Sequence, residues 1–528
     1  MFGLTQSWRE AMTARNPRIR VLLTIGVGKL YQIPDHIHPA RWTSTLRAST
    51  HNDSFVTSNA DSEEYPFWGT ITKWPDIKLS IKPEERRYDN VSVSVTLNNL
   101  SGYLDKFEKT FATDDVWGRL DLWTEGVPLE DTIPLVAGQL ENPQWSTPGD
   151  DVSLTIKDKH DAEPTGWPFE NEFLDNDEFP VLPLYLRGRA RRKYVFGPVL
   201  GLLECFQIDN VGKEFYYAEP QFEFPPQEFY IGDVEVSKTF TPIVKTARTA
   251  ITGELYTKIV FPRSINSEDY TGQVFAGGPN TVGADPTRII PTILSRVPGL
   301  RFTARAKTYL SYLERIGIFD YYALITGSGN PLTIVMERLL AQTGLAAGWR
   351  TGRLDIFKLG SATPQTHFEI GSNLIDRIRI KEPKTKMESV KNAIEVSYRR
   401  HHIRPHDDGT FGQYKVLVDS HLPSAVQSLL ISSEANYGRR LLKVDAADLW
   451  NPQNAKELGE SIAGLTAFQH RKYSYQVEYR HALRTDLNYR VELSDELEGL
   501  VDKKCRVVEL DFKEDHVEIT FQTDDLDG

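Results

Sequence analysis

Apolar and polar residues alternate at the end of this chain. Val517, Ile519 and Phe521 interleave with Glu518, Thr520 and Gln522, and Val508, Leu510 and Phe512 alternate in the run before them. Lys513, Glu514 and Asp515 separate the two runs. The spacing predicts an antiparallel hairpin whose core face carries Val508, Leu510, Phe512, Val517, Ile519 and Phe521. The same period marks residues 18–25, 91–97, 119–126 and 151–158. In the last of these, Val152, Leu154 and Ile156 face one way and Ser153, Thr155 and Lys157 the other. Residues 1–160 therefore predict a mostly antiparallel sheet or barrel.

Residues 161–285 open on an acidic, aromatic, proline-broken stretch and continue as short strands punctuated by Pro and Gly. They read as a linker followed by an inserted small β domain. Residues 286–385 bring helical spacing: Val335, Leu339 and Leu340 share a stripe, Gly344 is a stop, and 349–360 follow as turn and strand. Residues 386–528 begin with an alternating strand at 392–400 and a long loop. The helix predicted over 451–472 has Asn451 as cap, Pro452 at its first position, and a stripe of Leu458, Ile462 and Leu465. A β meander ends the chain. The fold class expected is mainly β with some α.

Bulk composition narrows the function. At about 150 residues per domain, a chain of 528 holds roughly three or four. Hydrophobic residues at 40% and charged residues at 25% mark a globular chain. The net charge of -12 argues against a dedicated nucleic-acid binder, while leaving room for a negative lumen past which DNA slides. The two cysteines, Cys205 and Cys505, exclude a disulfide framework and a cysteine-only metal site, and fit a reducing cytoplasm. No run is long and apolar enough for a membrane helix, and the N-terminus has no signal-peptide pattern.

Candidate chemistry is sparse. Gly26, Gly28 and Lys29 lack the spacing of a phosphate cradle and read as a turn after a strand. Ser328, flanked directly by Gly327 and Gly329, is not a nucleophile elbow. His401, His402 and His406 with Asp407 and Asp408 offer metal-ligand types at no established spacing, and a solvated loop accounts for them. Glu170, Glu172, Asp175, Asp177 and Glu178 are oxygen-rich without a calcium-loop pattern and read as an acidic linker. Carboxylates for glycoside hydrolysis would come from that set or from Asp61, Glu63 and Glu64, with Trp167 and Tyr230 lining a sugar groove. Arg187, Arg189, Arg191, Arg192 and Lys193 form the one basic run, suited to a phosphate backbone or to an acidic neighbour. No catalytic, cofactor or metal residue is assigned. The expectation is a structural protein, with a carbohydrate- or peptidoglycan-cleaving enzyme and a host-surface binding module, built on 166–285, as rivals.

The order of elements carries more than any motif. VSVSVTLNNLSGYLDKF, RLDLWTEG, PLVAGQLENPQW and DVSLTIKDK resemble the first tube-forming barrel of the tail hub proteins of long-tailed bacteriophages. GRLDIFKLG resembles the family's central segment. NAIEVSYRR, the helix at 451–472, the turn LSDELEGLVDKK and HVEITFQT resemble its second tube domain. The resemblance implies four parts: a first barrel at 1–160, the insertion at 161–285, a mixed segment at 286–385 and a second barrel at 386–528. It implies a homotrimer at the virion tail tip, assembled in the host cytoplasm. Partners would be the tail tube, distal tail, tape measure and fibre or spike proteins, with transient non-specific contact to DNA in the lumen. Only Cys505 lies in the C-terminal half, so the iron–sulfur cluster of some relatives is not expected.

Overall fold

Strand β1 (Arg20–Val27) has no wet face: Val21, Leu22, Leu23, Thr24 and Ile25 are all fully buried. A strand of this kind needs cover on both sides, and the computed structural model shows what supplies it. The structure describes residues 5–13, 17–27, 43–83, 87–89, 91–100, 102, 104, 105, 107, 116–145, 151–158, 179, 193–196, 202–208, 213–218, 226, 228–231, 234–236, 242–249, 255–262, 274–277, 301–303, 305–309, 323–326, 339–358, 366–369, 372–379, 384–398, 414–446, 449 and 452–523. Strands dominate, with few helices, in an α+β arrangement.

The N-terminal strands after β1 are β2 (Thr43–Thr50), β3 (Ser54–Thr57), β4 (Glu64–Ile71), β5 (Ile77–Lys82), β6 (Arg87–Tyr88), β7 (Ser92–Leu97), β8 (Val116–Trp123), β9 (Ile133–Trp145) and β10 (Val152–Lys157). Six of them and β1 run in the order β2-β1-β8-β9-β10-β7-β4. A parallel pairing of β2 with β4, through Ala48↔Trp68 and Thr50↔Ile71, then closes the barrel. Closure satisfies strand edges that would otherwise template aggregation. Val152, Leu154 and Ile156 fill the interior as their alternation predicts. A Cβ on Gly118 of β8 would lie 2.8 Å from Ile156 Cδ1, so the glycine admits that side chain. Helix α1 (Gln6–Thr13) adds Trp8 and Met12 to the core, and Trp8 Nε1 donates to the Asp131 carbonyl at 2.6 Å.

The middle of the chain forms its own antiparallel sheet. Strand β11 (Lys193–Phe196) precedes β12 (Leu202–Gln207), β13 (Glu214–Ala218), β14 (Glu228–Ile231), β15 (Val234–Glu235), β16 (Ile243–Arg248), β17 (Leu255–Val260) and β18 (Val274–Gly277); β19 (Ala323–Thr326) pairs with β11. Strands β12 to β18 are ordered β15-β14-β18-β12-β13-β17-β16. They enclose a separate core that includes Phe215, Tyr217, Phe229, Ile259 and Phe261.

The C-terminal strands are β20 (Leu345–Arg350), β21 (Arg353–Lys358), β22 (Thr366–Glu369), β23 (Leu374–Ile378), β24 (Ala393–Tyr398), β25 (Tyr414–Val418), β26 (Leu441–Ala446), β27 (Lys472–Val477), β28 (Arg490–Asp495), β29 (Leu500–Phe512) and β30 (Val517–Thr523). Strand β29 organises them. It holds β30 along one edge, and on the other it pairs first with β28 and then with β5. The sheet therefore runs β21-β20-β6-β5-β29-β30-β27-β23, with β28 and β22 branching from it. The hairpin expected at the end of the chain is present: Leu510, Phe512, Val517, Ile519 and Phe521 are buried to within 1%. A bulge between Val507 and Glu509 makes Val507, not Val508, the residue opposite Phe521.

Residues 393–466 differ from the expected strand, loop and helix. Strands β25, β24 and β26 form a three-stranded sheet, with β26 parallel to β24. Helices α2 (Gln427–Tyr437) and α3 (Pro452–Thr466) accompany it. Helix α3 packs on β24 and β25 through Leu458, Ile462 and Ala463. A Cβ on Gly459 would sit 2.8 Å from Val418 Cγ2, so the glycine sets how closely helix and sheet approach. Helix α2 hid in the sequence because its apolar residues Leu429, Leu430 and Ile431 are consecutive and draw no stripe.

Candidate functional site

The residues weighed for chemistry do not converge. Gly28, Lys29, Trp167, the acidic run at 170–178, the arginines at 187–192, Ser328 and His401, His402, His406, Asp407 and Asp408 lie outside the described residues. Gly26 is within β1, Lys193 begins β11 and Tyr230 lies on β14. Asp61 Oδ2 and Glu63 Oε2 accept from the Tyr65 hydroxyl at 2.5 and 3.3 Å, which turns two of the candidate carboxylates into supports for a barrel tyrosine. Burial, with Asp61 second, pushes the Tyr65 phenol up. Both cysteines are buried and neither is in a disulfide. No group of three or more metal-ligating side chains occurs among the described residues.

The concentration of buried charge lies elsewhere, where the two large β units interlock. Between β4 and β7 the chain leaves the barrel, and its β5–β6 hairpin becomes part of the other sheet. Ile77–Ser80 pair with Glu509–Phe512, Arg87 pairs with Ala347, and Trp74 Nε1 donates to the Phe512 carbonyl at 2.7 Å. The span expected as a self-contained barrel at 1–160 thus contributes strands to the C-terminal sheet. One continuous apolar core runs through both units, from Trp8 to Phe521.

A polar joint sits on this crossing. Asp355 on β21 is 1% exposed and accepts from Tyr88 Oη at 2.7 Å, from Thr303 Oγ1 at 2.5 Å and from Arg305. Arg305 also donates to the Leu487 carbonyl at 3.0 Å and to the Tyr88 hydroxyl. Beside it, Arg350 pairs with Asp486 at 2.5 Å. Burial alone would raise the Asp355 carboxyl; Arg305, its hydrogen bonds and Arg350 outweigh burial and hold it below its ordinary value. The Tyr88 phenol is pushed well up, chiefly by burial. A Cβ on Gly348 would stand 2.5 Å from the Tyr88 ring, so glycine is what allows this tyrosine to lie across β20.

A second tie runs the other way. The β20–β21 hairpin turns on Thr351 and Gly352, both with positive φ (53° and 71°), the pattern of a two-residue hairpin turn. Their amides donate to Asp158 Oδ2 and Oδ1, each at 2.8 Å. Asp158 directly follows the last barrel strand, so the barrel holds the hairpin of its neighbour. Burial raises the Asp158 carboxyl to about 6 despite those two amides and Arg350.

A cleft of about 1090 Å³ opens between the units, lined by residues including Met12, Arg18, Arg20, His51, Tyr479 and Glu514. Its carboxylates are exposed and paired: Glu514 with His51 at 3.1 Å, Glu478 with Arg480 at 2.5 Å and Asp515 with His516 at 2.6 Å. Each is exposed and ion-paired, not held in the dry pocket that raises a general acid. The arrangement fixes two β units against each other. Sequence reasoning missed it because its members are single residues spread from Tyr88 to Asp486. The one local signal is the Thr351-Gly352 dipeptide between apolar runs.

No known protein-family profile matches the chain, and no curated protein matches it. Solved structures do. The chain is similar to the 43 kDa tail protein of prophage MuSo2 from Shewanella oneidensis, at 10% identity over 90% of this chain and 98% of that one, with a TM-score of 0.38. It is similar to the tail protein from Neisseria meningitidis MC58, at 9% identity over 90% and 97% of the two chains and a TM-score of 0.38. It is also similar to a chain in the virion of a native gene transfer agent particle, at 10% identity over 63% and 84% and a TM-score of 0.37.

Proposed function

We propose that this chain is a structural hub of a bacteriophage tail tip or baseplate. Three copies form a ring that continues the tail tube and joins it to distal tail, tape measure and fibre or spike proteins. DNA leaves through the lumen. The observation that carries the reading is the interlock. Two large β units share strands and one core, and Asp158 and Asp355 pin each to the other. One chain then acts as a rigid pair of β units, and three chains supply six such units around an axis, which matches a six-fold tube to a three-fold tip. The resemblance of the strand and turn wording to tail hub proteins supports the same reading, and a net charge of -12 suits a channel that must not retain DNA.

The role is geometric and needs no catalytic group. It is performed in the virion, at the tail tip, after assembly in the host cytoplasm. Gold-labelled antibody against the chain, imaged on intact particles, tests the placement. Label at the distal tail end supports it. Label on the capsid or tail shaft, or none on particles, overturns it.

A further inference from the structure

The turn LSDELEGLVDKK joins β28 to β29 and is built as a rigid knob. Asp495, fully buried, is held by Arg377 through both carboxylate oxygens and by the Tyr475 hydroxyl at 2.8 Å. The same carboxylate accepts the Leu497 amide at 3.1 Å and starts one turn of 3-10 helix over Glu496–Glu498. Ser494 and Asp502 close the base with two hydrogen bonds of 3.0 Å, and Gly499 and Asp502 take positive φ (68° and 47°). This scaffold presents Leu497 at 82% and Val501 at 75% exposure between Glu496, Glu498 and Asp502. Holding apolar groups in water on so ordered a support removes the entropic cost of fixing them on binding.

Beside the knob lies its opposite. A hollow of about 460 Å³ is lined by Lys384, Arg471, Lys503, Tyr437 and Tyr473, with Glu498 to Leu500 as one wall. The side chains of Lys384 and Arg471 have no partner among the described residues. An acidic, apolar knob and a basic, aromatic-walled hollow on one chain are complementary in charge and in character. A surface that carries both halves of a contact fits a second copy of itself.

We propose that the 494–502 knob of one copy seats in the Lys384/Arg471/Lys503 hollow of a second copy. Leu497 and Val501 are the apolar anchors, and Glu496 faces the cations. Because knob and hollow adjoin on one face, the contact is self-complementary and joins two copies about a two-fold axis; it is distinct from the contact that closes a three-fold ring. It is tested by sedimentation velocity of the full-length protein across concentration and salt. Leu497→Ser with Val501→Thr weakens association by roughly tenfold or more, as loss of central anchors does, and leaves the melting temperature unchanged because both side chains are exposed. Glu496→Lys and Arg471→Glu each weaken association, and the two in one chain restore it. Undiminished association of the knob variant, or no rescue by the charge swap, overturns the contact and leaves the ring standing. A wild-type protein that stays monomeric at every concentration overturns both.

Discussion

Replacing Asp355 with Asn tests the interlock at its most buried charge. The asparagine keeps the shape but leaves the Arg305 guanidinium without its counter-ion. Arg305 keeps neutral acceptors, the Leu487 carbonyl, the Tyr88 hydroxyl and one amide oxygen, but loses the charge it is paired with. Removing one member of a buried pair costs about 3–5 kcal/mol, because the stranded charge remains desolvated. Asp355 is 1% exposed and the Arg305 side chain 19%, so solvent screening takes little from that figure. Arg305→Met costs a similar amount for the converse reason. The double variant loses about 1–3 kcal/mol less than the two singles summed, since neither charge is then stranded. Urea unfolding followed by tryptophan fluorescence gives the cycle. Amide exchange at Leu79 and Ile81 on β5 reports whether the hairpin loosens with it. Single losses that add to within about 0.5 kcal/mol, or a β5 that stays protected, would refute the idea that this joint clamps the units together.

Other outcomes follow from the same geometry. Asp158 titrates from about 6 when folded, above its ordinary value, so the native state binds the extra proton. Its contribution to stability is then largest below the unfolded value near 4 and falls as pH rises through 6; Asp158→Asn should flatten a melting-temperature profile over that window. Asp355 runs the opposite way, its lowered value giving stability above about pH 4 that is lost in acid, so Asp355→Asn should reduce the acid sensitivity of unfolding. Gly348→Ala places a methyl 2.5 Å from the Tyr88 ring and should cost at least about 1–3 kcal/mol by denaturant titration. Ile519→Asp puts an unpaired carboxylate at a fully buried position and should abolish soluble folded protein, whereas the more exposed Glu518→Gln should melt within a degree or two of wild type.

Alternation made the strands legible. The runs at 18–25, 91–97, 119–126 and 151–158 became β1, β7, β8 and β10 within a few residues; the core face of the final hairpin was correct apart from one bulge, while Thr520 and Gln522 on its other face are buried as well. Pro452 at the start of α3 and the Leu458–Ile462 stripe were equally direct. What period and capping do not record is partnership. Nothing local to Ile77–Lys82 says that its neighbour is Phe512 rather than a barrel strand, because a pleated strand presents the same alternation to any partner. The joint was invisible for the related reason that Tyr88, Arg305, Asp355 and Asp486 are ordinary surface residue types until folding brings them together.

Cryo-electron microscopy of intact particles, reconstructed at the tail tip without imposed symmetry, tests the hub reading most directly. The account predicts three copies of this chain around a DNA-sized lumen. Each would contribute the closed barrel and the β29-centred sheet to one six-unit ring. A tip in which this chain is peripheral to the lumen, or in which its two β units lie apart, would contradict it.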